Sequence, residues 1–425
     1  MLNLLIENIS GNTMSEWKEC TIGELCKNIC SGGTPNRSNA DFFRNGNIPW
    51  LNTKEVSFNR IYQTENFITD AGLKASAAKW IPENTVIVAM YGATAGRSAI
   101  AKIPLTTNQA CCNLVVDEDK ADYRFVYYWL LSNYEHLASL ANGGAQQNLN
   151  AGLVRDYKIR IPDLELQRKI AEILSSMDDK IELNNQINRN LEEQAQAIFK
   201  SWFVDFEPFG GEMPENWEIG KIGDLVERTI NGDWGKAEPM GTNTEEVFCI
   251  RGADIPEVKK GNKGKMPTRY ILPKNYQQKK LEDGDLVVEI SGGSPTQSTG
   301  RAAYISDALL ERYNNKIVCT NFCKAIKFKN NYSTYMYFYW IYLYDKGIFF
   351  SYENGTTGIK NLDVSGILEN EEIIIPSIDF LSKFNAYCSA AFKRISANGA
   401  ETEQLGILRD SLLPKLMSGE IDLGR

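Results

Sequence analysis

A single histidine, His136, stands in a chain of 425 residues, and that scarcity excludes most proton-relay and imidazole-ligated metal chemistry. His136 falls inside the aromatic segment FVYYWLLSNYEHLASL, where packing or surface exposure is expected of it rather than catalysis. The nine cysteines do not supply a metal site instead: the closest are Cys26/Cys30, Cys111/Cys112 and Cys319/Cys323, an odd set without zinc-ligand spacing. Reduced structural thiols and no metal are expected. Long apolar runs are also missing. MLNLLI at the start is too short to span a bilayer and lacks the basic flank of a signal peptide, which points to a cytoplasmic chain without a membrane partner. Met14 is a second candidate for the start, because MSEW opens the first recognisable element, and residues 1 to 13 are set outside the fold.

Enzymatic signatures are absent as well. GATAGRS at Gly92 is one residue short of a phosphate loop and carries Arg97 where the lysine belongs; GDWGK and GNKGK fail the same spacing. No G-x-G-x-x-G follows a strand pattern, so a dinucleotide site has no support. PDLELQRK at Pro162 places Leu-Gln after Glu165, where a nuclease's PD…E-x-K needs x-Lys. Neither Asp-Pro-Pro-Tyr nor Asn-Pro-Pro-Tyr of an adenine methyltransferase occurs, and any serine or cysteine nucleophile would have to share one histidine. The expectation is a non-catalytic chain that binds no cofactor of its own.

What is present is a repeat. WKECTIGEL from Trp17 is answered two hundred residues later by WEIGKIGDL from Trp217, and each opens a half. IPENTVIVAMYGATAGRSAI from Ile81 matches LEDGDLVVEISGGSPTQSTGRAAYI from Leu281, with Gly96-Arg97 against Gly300-Arg301. TTNQACCNLVV matches VCTNFCKAIKF, which sets Asn108 against Asn321, and YRFVYYWL matches TYMYFYWI. Short β-rich segments between Gly, Pro and Asn punctuation, with one aromatic helix, make each half an α+β domain that ends in Ile-Pro and a long helix.

In the first long helix the seam runs Ile170, Leu174, Met177, Ile181, Asn184, Asn188, Leu191, Ala195, Ile198 and Trp202. A constant offset of 214 projects it onto Phe384, Cys388, Ala391, Ile395, Asn398, Thr402, Leu405, Arg409, Leu412 and Leu416. Short links require the second helix to run back, so the pair is expected as an antiparallel coiled coil with a pseudo-two-fold axis, Asn184 facing Thr402 and Asn188 facing Asn398. Polar residues at core positions cost stability but penalise a slipped register. Phe199, Trp202 and Phe203 flank this seam and either await a partner or fold back on the second half.

The formal net charge of −8 conceals a basic run. From Val258 to Leu281 stand Lys259, Lys260, Lys263, Lys265, Arg269, Lys274, Lys279 and Lys280 with no acid among them. Such a run can follow a phosphate backbone, or it can be a solvated loop.

These features together resemble one family, the specificity subunit of type I restriction-modification systems. The resemblance covers Trp17 to Leu423 and rests on GGTP near residue 33 followed by IPWL at Ile48, on IPDLELQRKIAEIL…AIFKSWFVDFEP, and on LLPKLMSGEI from Leu412. The second half departs from it, lacking GGTP and IPWL and opening its helix with IPSIDFLSKF, without the counterpart of Gln167. The resemblance implies target recognition domains at 14–160 and 207–374, a central coiled-coil helix at 161–206 and a C-terminal one at 375–425. Each domain would read one half of a bipartite, asymmetric double-stranded DNA site. The helices would set the spacing and dock two modification (methyltransferase) subunits, which bind S-adenosylmethionine and methylate adenine N6, and restriction (motor-nuclease) subunits would join. Candidate DNA contacts are Arg37, Lys54, Arg97, Asn108, Gln109, Gln146 and Gln147 in the first domain. In the second they are Arg251, Arg301, Asn321 and Lys360, with Lys259, Lys260, Lys263, Lys265 and Arg269 serving phosphates. Asn108 and Asn321 could equally cap their own turns, and Gly96 and Gly300 fit tight turns better than ligand contacts. Rival readings are a non-DNA coiled-coil adaptor and a fused methylase-nuclease specificity chain.

Overall fold

Val86–Ala89 and Leu286–Glu289 are short runs of buried, mostly β-branched or apolar residues, the pattern of a strand covered on both faces. In the computed structural model each is an inner strand. Val86–Ala89 lies between Cys111–Val116 and Ser98–Ala101, and Leu286–Glu289 lies between Cys323–Phe328 and Ala302–Tyr304, all antiparallel. The structure describes residues 17–141, 148–294, 296–329, 331–355, 360–421 and 423.

Each half is closed by its own ends. Lys18–Thr21 pairs antiparallel with Lys158–Ile161, and Glu218–Lys221 with Glu372–Ile375, so the two Ile-Pro exits leave from equivalent strands. The repeat also extends to places where the two sequences have parted. Ile48–Leu51, the IPWL segment, runs parallel to Leu105–Thr107, and Glu245–Ile250 runs parallel to Ile317–Cys319 in the same role. Strand pairing needs backbone groups and an apolar face, both of which EEVFCI retains without the motif.

One aromatic helix was expected in each half. The second has it, Ser333–Asp345, with Trp340 fully buried and its indole N–H donating to the Gly300 carbonyl at 2.8 Å. Gly300 sits at φ +104°, in the left-handed region that a side chain would strain, so its turn role is structural. In the first half the segment divides at Asn133 into Tyr123–Ser132 and Tyr134–Ser139, and the Asn133 side-chain amide bonds back to the Trp129 carbonyl at 2.9 Å.

The two long helices are Leu164–Phe203 and Ile378–Ser418. The chain divides into two compact units, one of the described residues up to Asp179 with those from Gly406 onward, the other Lys180–Leu405, and both helices contribute to both. In the first unit Ile170, Ala171 and Leu174 share a core with Leu413, Leu416 and Met417 and with the sheet residues Val86 and Leu114. The seam projected Leu412, and burial has moved to Leu413, as expected when a helix of 3.6 residues per turn drifts from a strict heptad. In the second unit the helices run antiparallel: Asn184 bonds to Glu401, Asn188 to Asn398, Gln194 to Tyr387, and Trp202 packs on Phe380. Here the inner line is Ala195, Phe199 and Phe203, in steps of four, rather than Ile198 and Trp202. Phe199 and Phe203 are buried with Tyr335, Phe338 and Phe384, so these rings belong to the second half's own core.

Candidate nucleic-acid interface

Two glycines fix the geometry of the loops in question. A Cβ on Gly32 would lie 2.0 Å from the Thr107 carbonyl oxygen, and one on Gly232 would lie 1.9 Å from that of Thr320. Each half therefore presses a glycine turn against the turn that carries Asn108 or Asn321. Asn108 is buried; its Oδ1 accepts the Ala110 amide at 3.1 Å and its Nδ2 donates to Asn52 Oδ1 at 3.5 Å, so it caps its own turn. In the second half Thr320 does this work, its hydroxyl accepting the Phe322 amide at 3.3 Å, and Asn321 is exposed. The strand register thus matches Asn108 with Thr320, Gln109 with Asn321 and Ala110 with Phe322, one residue off the pairing of Asn108 with Asn321 expected from the sequence; two residues past the glycines stand Thr34 and Trp234. Thr34 donates its hydroxyl to Gln109, whereas Phe322 is 64% exposed and Trp234 39% exposed, both lining a cavity of about 470 Å³. Neither aromatic was singled out from the sequence. The pairing of Asn108 with Asn321 hid Phe322, because the strand register opposes it to the buried Ala110 and not to Gln109.

The cations are less free than their sequence suggests. Arg301 forks onto Glu289 at 2.8 and 2.7 Å, and Arg251 forks onto Asp254 at 2.9 and 3.2 Å while also reaching the Lys265 carbonyl at 2.8 Å. Burial pushes the Asp254 carboxyl up, but the Arg251 fork and the Lys265 and Arg251 amides outweigh it and hold the group below the usual carboxylate range. Lys259 pairs with Glu192 at 3.1 Å, Lys260 with Glu257 at 2.8 Å and Lys360 with Glu353 at 2.6 Å. Lys263 sits over the Tyr313 ring at 4.4 Å, and Arg269 over Trp234 at 4.2 Å. Lys54 pairs with Glu65, and Arg97 donates to the Ser57 hydroxyl at 3.3 Å. Arg37, Lys265 and Lys274 are exposed. Gln146 and Gln147 lie outside the described residues. The run 258–281 has no acid of its own, but Glu257 and Glu282 flank it and pair with Lys260 and Lys280, and the fold delivers Glu192 and Asp233 from other segments, which no local reading of charge could anticipate.

Comparison with known proteins decides the family. The family described as type I restriction modification DNA specificity domain matches residues 14–193 and again 214–395, the greater part of the chain. The chain belongs to that family. Two specificity-family relatives are similar along nearly their whole length. The MjaIX type I restriction enzyme specificity subunit of Methanocaldococcus jannaschii is 28% identical over 96% of both chains. The HindI specificity subunit of Haemophilus influenzae is 25% identical over 96% of this chain and all of its own. Among solved structures, the S subunit of a type I restriction-modification system from M. genitalium shares the fold, with a TM-score of 0.58 at 19% identity over 96% of this chain and 98% of that one.

The polar centre of this specificity-family chain is more than a pair of facing asparagines. Asn398 Nδ2 donates to Asn188 Oδ1 at 2.8 Å, and Asn188 Nδ2 donates both to the Ile395 carbonyl at 3.1 Å and to the Lys260 carbonyl at 2.8 Å. Asn184 reaches Glu401 at 2.9 Å and the Asn398 carbonyl at 3.4 Å instead of Thr402, whose buried hydroxyl has no hydrogen-bond partner. The Asn184 amide holds the Glu401 carboxyl below its ordinary value. Around Asn188 the basic loop is clasped further: the Lys263 amide donates to Glu403, and Arg312 pairs with Glu403 at 2.5 Å while donating to the Gly261 carbonyl at 2.8 Å. The backbone of Lys260 and Lys263 and the Lys259 ammonium thus hold the candidate phosphate loop to the helices.

Among the described residues no group of three or more His, Cys, Asp or Glu is placed to hold a metal ion, and no helix is long and apolar enough to cross a membrane. His136 Nδ1 lies 2.8 Å from the Tyr157 hydroxyl, a packing contact inside the first half. Burial pushes the thiols up, Cys112 and Cys388 to about 12, so these are poor nucleophiles.

Proposed function

We propose that this chain is the sequence reader of a type I restriction-modification complex: each globular half reads one part of a bipartite, asymmetric double-stranded DNA site. In this reading the paired helices hold the two parts at a fixed spacing and dock two modification subunits. Those partners carry S-adenosylmethionine and methylate adenine N6, restriction subunits join them for cleavage, and the chain itself catalyses nothing. One observation carries the proposal. The same frame is built twice, and its two rims present different chemistry, Thr34 and Gln109 in one half against Trp234, Asn321 and Phe322 in the other. A frame that repeats while its exposed rim diverges is what two readers of unlike sequences require, since positioning is shared and base contact is not.

The test is a genome-wide map of N6-methyladenine in the source cell with the gene intact and deleted. Disappearance of one bipartite motif with unlike halves is the expected result. A methylation pattern identical in both strains, in a cell whose modification subunit is expressed, would overturn the proposal.

A further inference from the structure

The cavity at Trp234 and Phe322 has a shape that edge reading does not need. A base inside a duplex offers only its edge in the groove, and its faces are covered by its neighbours. Aromatic walls around a concavity match a base whose faces are free. The cavity, about 470 Å³, lies within the roughly 300–1,000 Å³ of small-molecule pockets.

Its walls are held in place. The Arg269 guanidinium stacks over the Trp234 ring at 4.2 Å and its Nε donates to the Trp234 carbonyl at 2.8 Å. The Phe322 carbonyl accepts the Ile290 amide at 2.9 Å, so the exposed ring stands on a pinned turn. The polar lining includes the exposed Asn321 and the buried Glu289. Arg301 occupies one lone pair on each Glu289 oxygen, which orients the group and leaves one lone pair on each oxygen to accept. Gly252 makes room for it, since a Cβ there would lie 2.5 Å from Glu289 Oε1. An acceptor of this kind selects an exocyclic amine.

We infer that this cavity receives one amino-bearing nucleobase, adenine, cytosine or guanine, extruded from the second half-site, with its faces against Trp234 and Phe322 and its amine toward Glu289. The inference rests on the DNA-reading role proposed above. The first half offers no equivalent aromatic pair, because Thr34 and the buried Ala110 stand there in place of Trp234 and Phe322. Extrusion therefore belongs to one half-site only.

The experiment uses the full chain with its modification partners and duplexes carrying the mapped sequence. Each adenine, cytosine and guanine of both half-sites is placed in turn opposite a mismatched base. A mismatch removes the unpairing cost, so at one position of the second half-site the wild-type complex should bind about tenfold tighter or more. Phe322→Ala, a change at an exposed ring, should abolish that gain and weaken binding to the matched duplex by about five- to hundredfold. Any adenine extruded toward the modification subunits would show a gain that survives Phe322→Ala, which separates the two. If no mismatch gain depends on Phe322, the inference is wrong. A wild-type complex with no preference for the mapped sequence would overturn the DNA-reading role and the pocket with it.

Discussion

Asp285 is fully buried at the entrance to the strand Leu286–Glu289; one carboxylate oxygen accepts the Glu282 amide at 2.8 Å and the other has no hydrogen-bond partner. Burial raises its pKa from 3.8 to about 6. The folded chain therefore holds this proton more tightly than the unfolded chain, and the stabilisation is complete below about pH 4 and lost as pH rises through 6. The loss amounts to about 3 kcal/mol at most. Asp285→Asn keeps an acceptor for the Glu282 amide and cannot ionise. Its melting temperature should rise relative to wild type, and more at pH 7.5 than at pH 5. An equal difference at both pH values would show that the carboxyl is not protonated in the fold. The repeat aligns Asp285 with Thr85, so no motif marked it; only the fold shows how deeply it is enclosed.

Among the elements, the C-terminal helix carries two glycines with opposite meanings. A Cβ on Gly399 would lie 2.0 Å from the Gly261 carbonyl oxygen, backbone against backbone, whereas one on Gly406 would meet nothing within 4 Å. Helix propensity alone favours alanine at both sites by about 1 kcal/mol. Gly406→Ala should realise up to that gain, and Gly399→Ala should instead cost about 1–3 kcal/mol through overpacking, read as opposite shifts in urea midpoints. Two shifts of the same sign would mean that the helix does not approach the 259–263 loop this closely. Gly261, at φ +82° and with its own Cβ position 2.2 Å from the Ile395 carbonyl oxygen, is the other side of the same approach. The sequence read this loop as a phosphate-facing strip. Its Gly261 is explained by a helix lying against it.

At the scale of the whole molecule, the asparagine layer joins the register of the helices to the placement of the second domain, because Asn188 binds Asn398 and the Lys260 carbonyl at once. Replacing Asn184, Asn188 and Asn398 by leucine should leave helical content unchanged by circular dichroism, since leucine is a good helix former. It would strip the loop of its anchor and remove the penalty on a slipped register. A methylation map of the triple variant should then retain both half-sites while the spacer between them changes or broadens. A spacer identical to wild type in a folded triple variant would refute the ruler role.

Much of this architecture was legible in the sequence because periodicity and repetition survive divergence. The apolar strands at Val86 and Leu286, the Ile-Pro exits and the polar centre of the long helices all follow from local patterns that physics reads one segment at a time. The sequence also located the turns at Asn108 and Asn321. What it left open is which groups at those turns are already engaged. Asn108 is taken by its own backbone, Arg251, Arg301 and Lys259 are taken by Asp254, Glu289 and Glu192, and Phe199 is taken by the second core. Hydrogen bonds and ion pairs are satisfied by whatever the fold brings within reach, near in sequence as with Arg251 and Asp254 or remote as with Lys259 and Glu192. Local sequence determined the frame and its repetition; tertiary structure decided which side chains remain free at its rim.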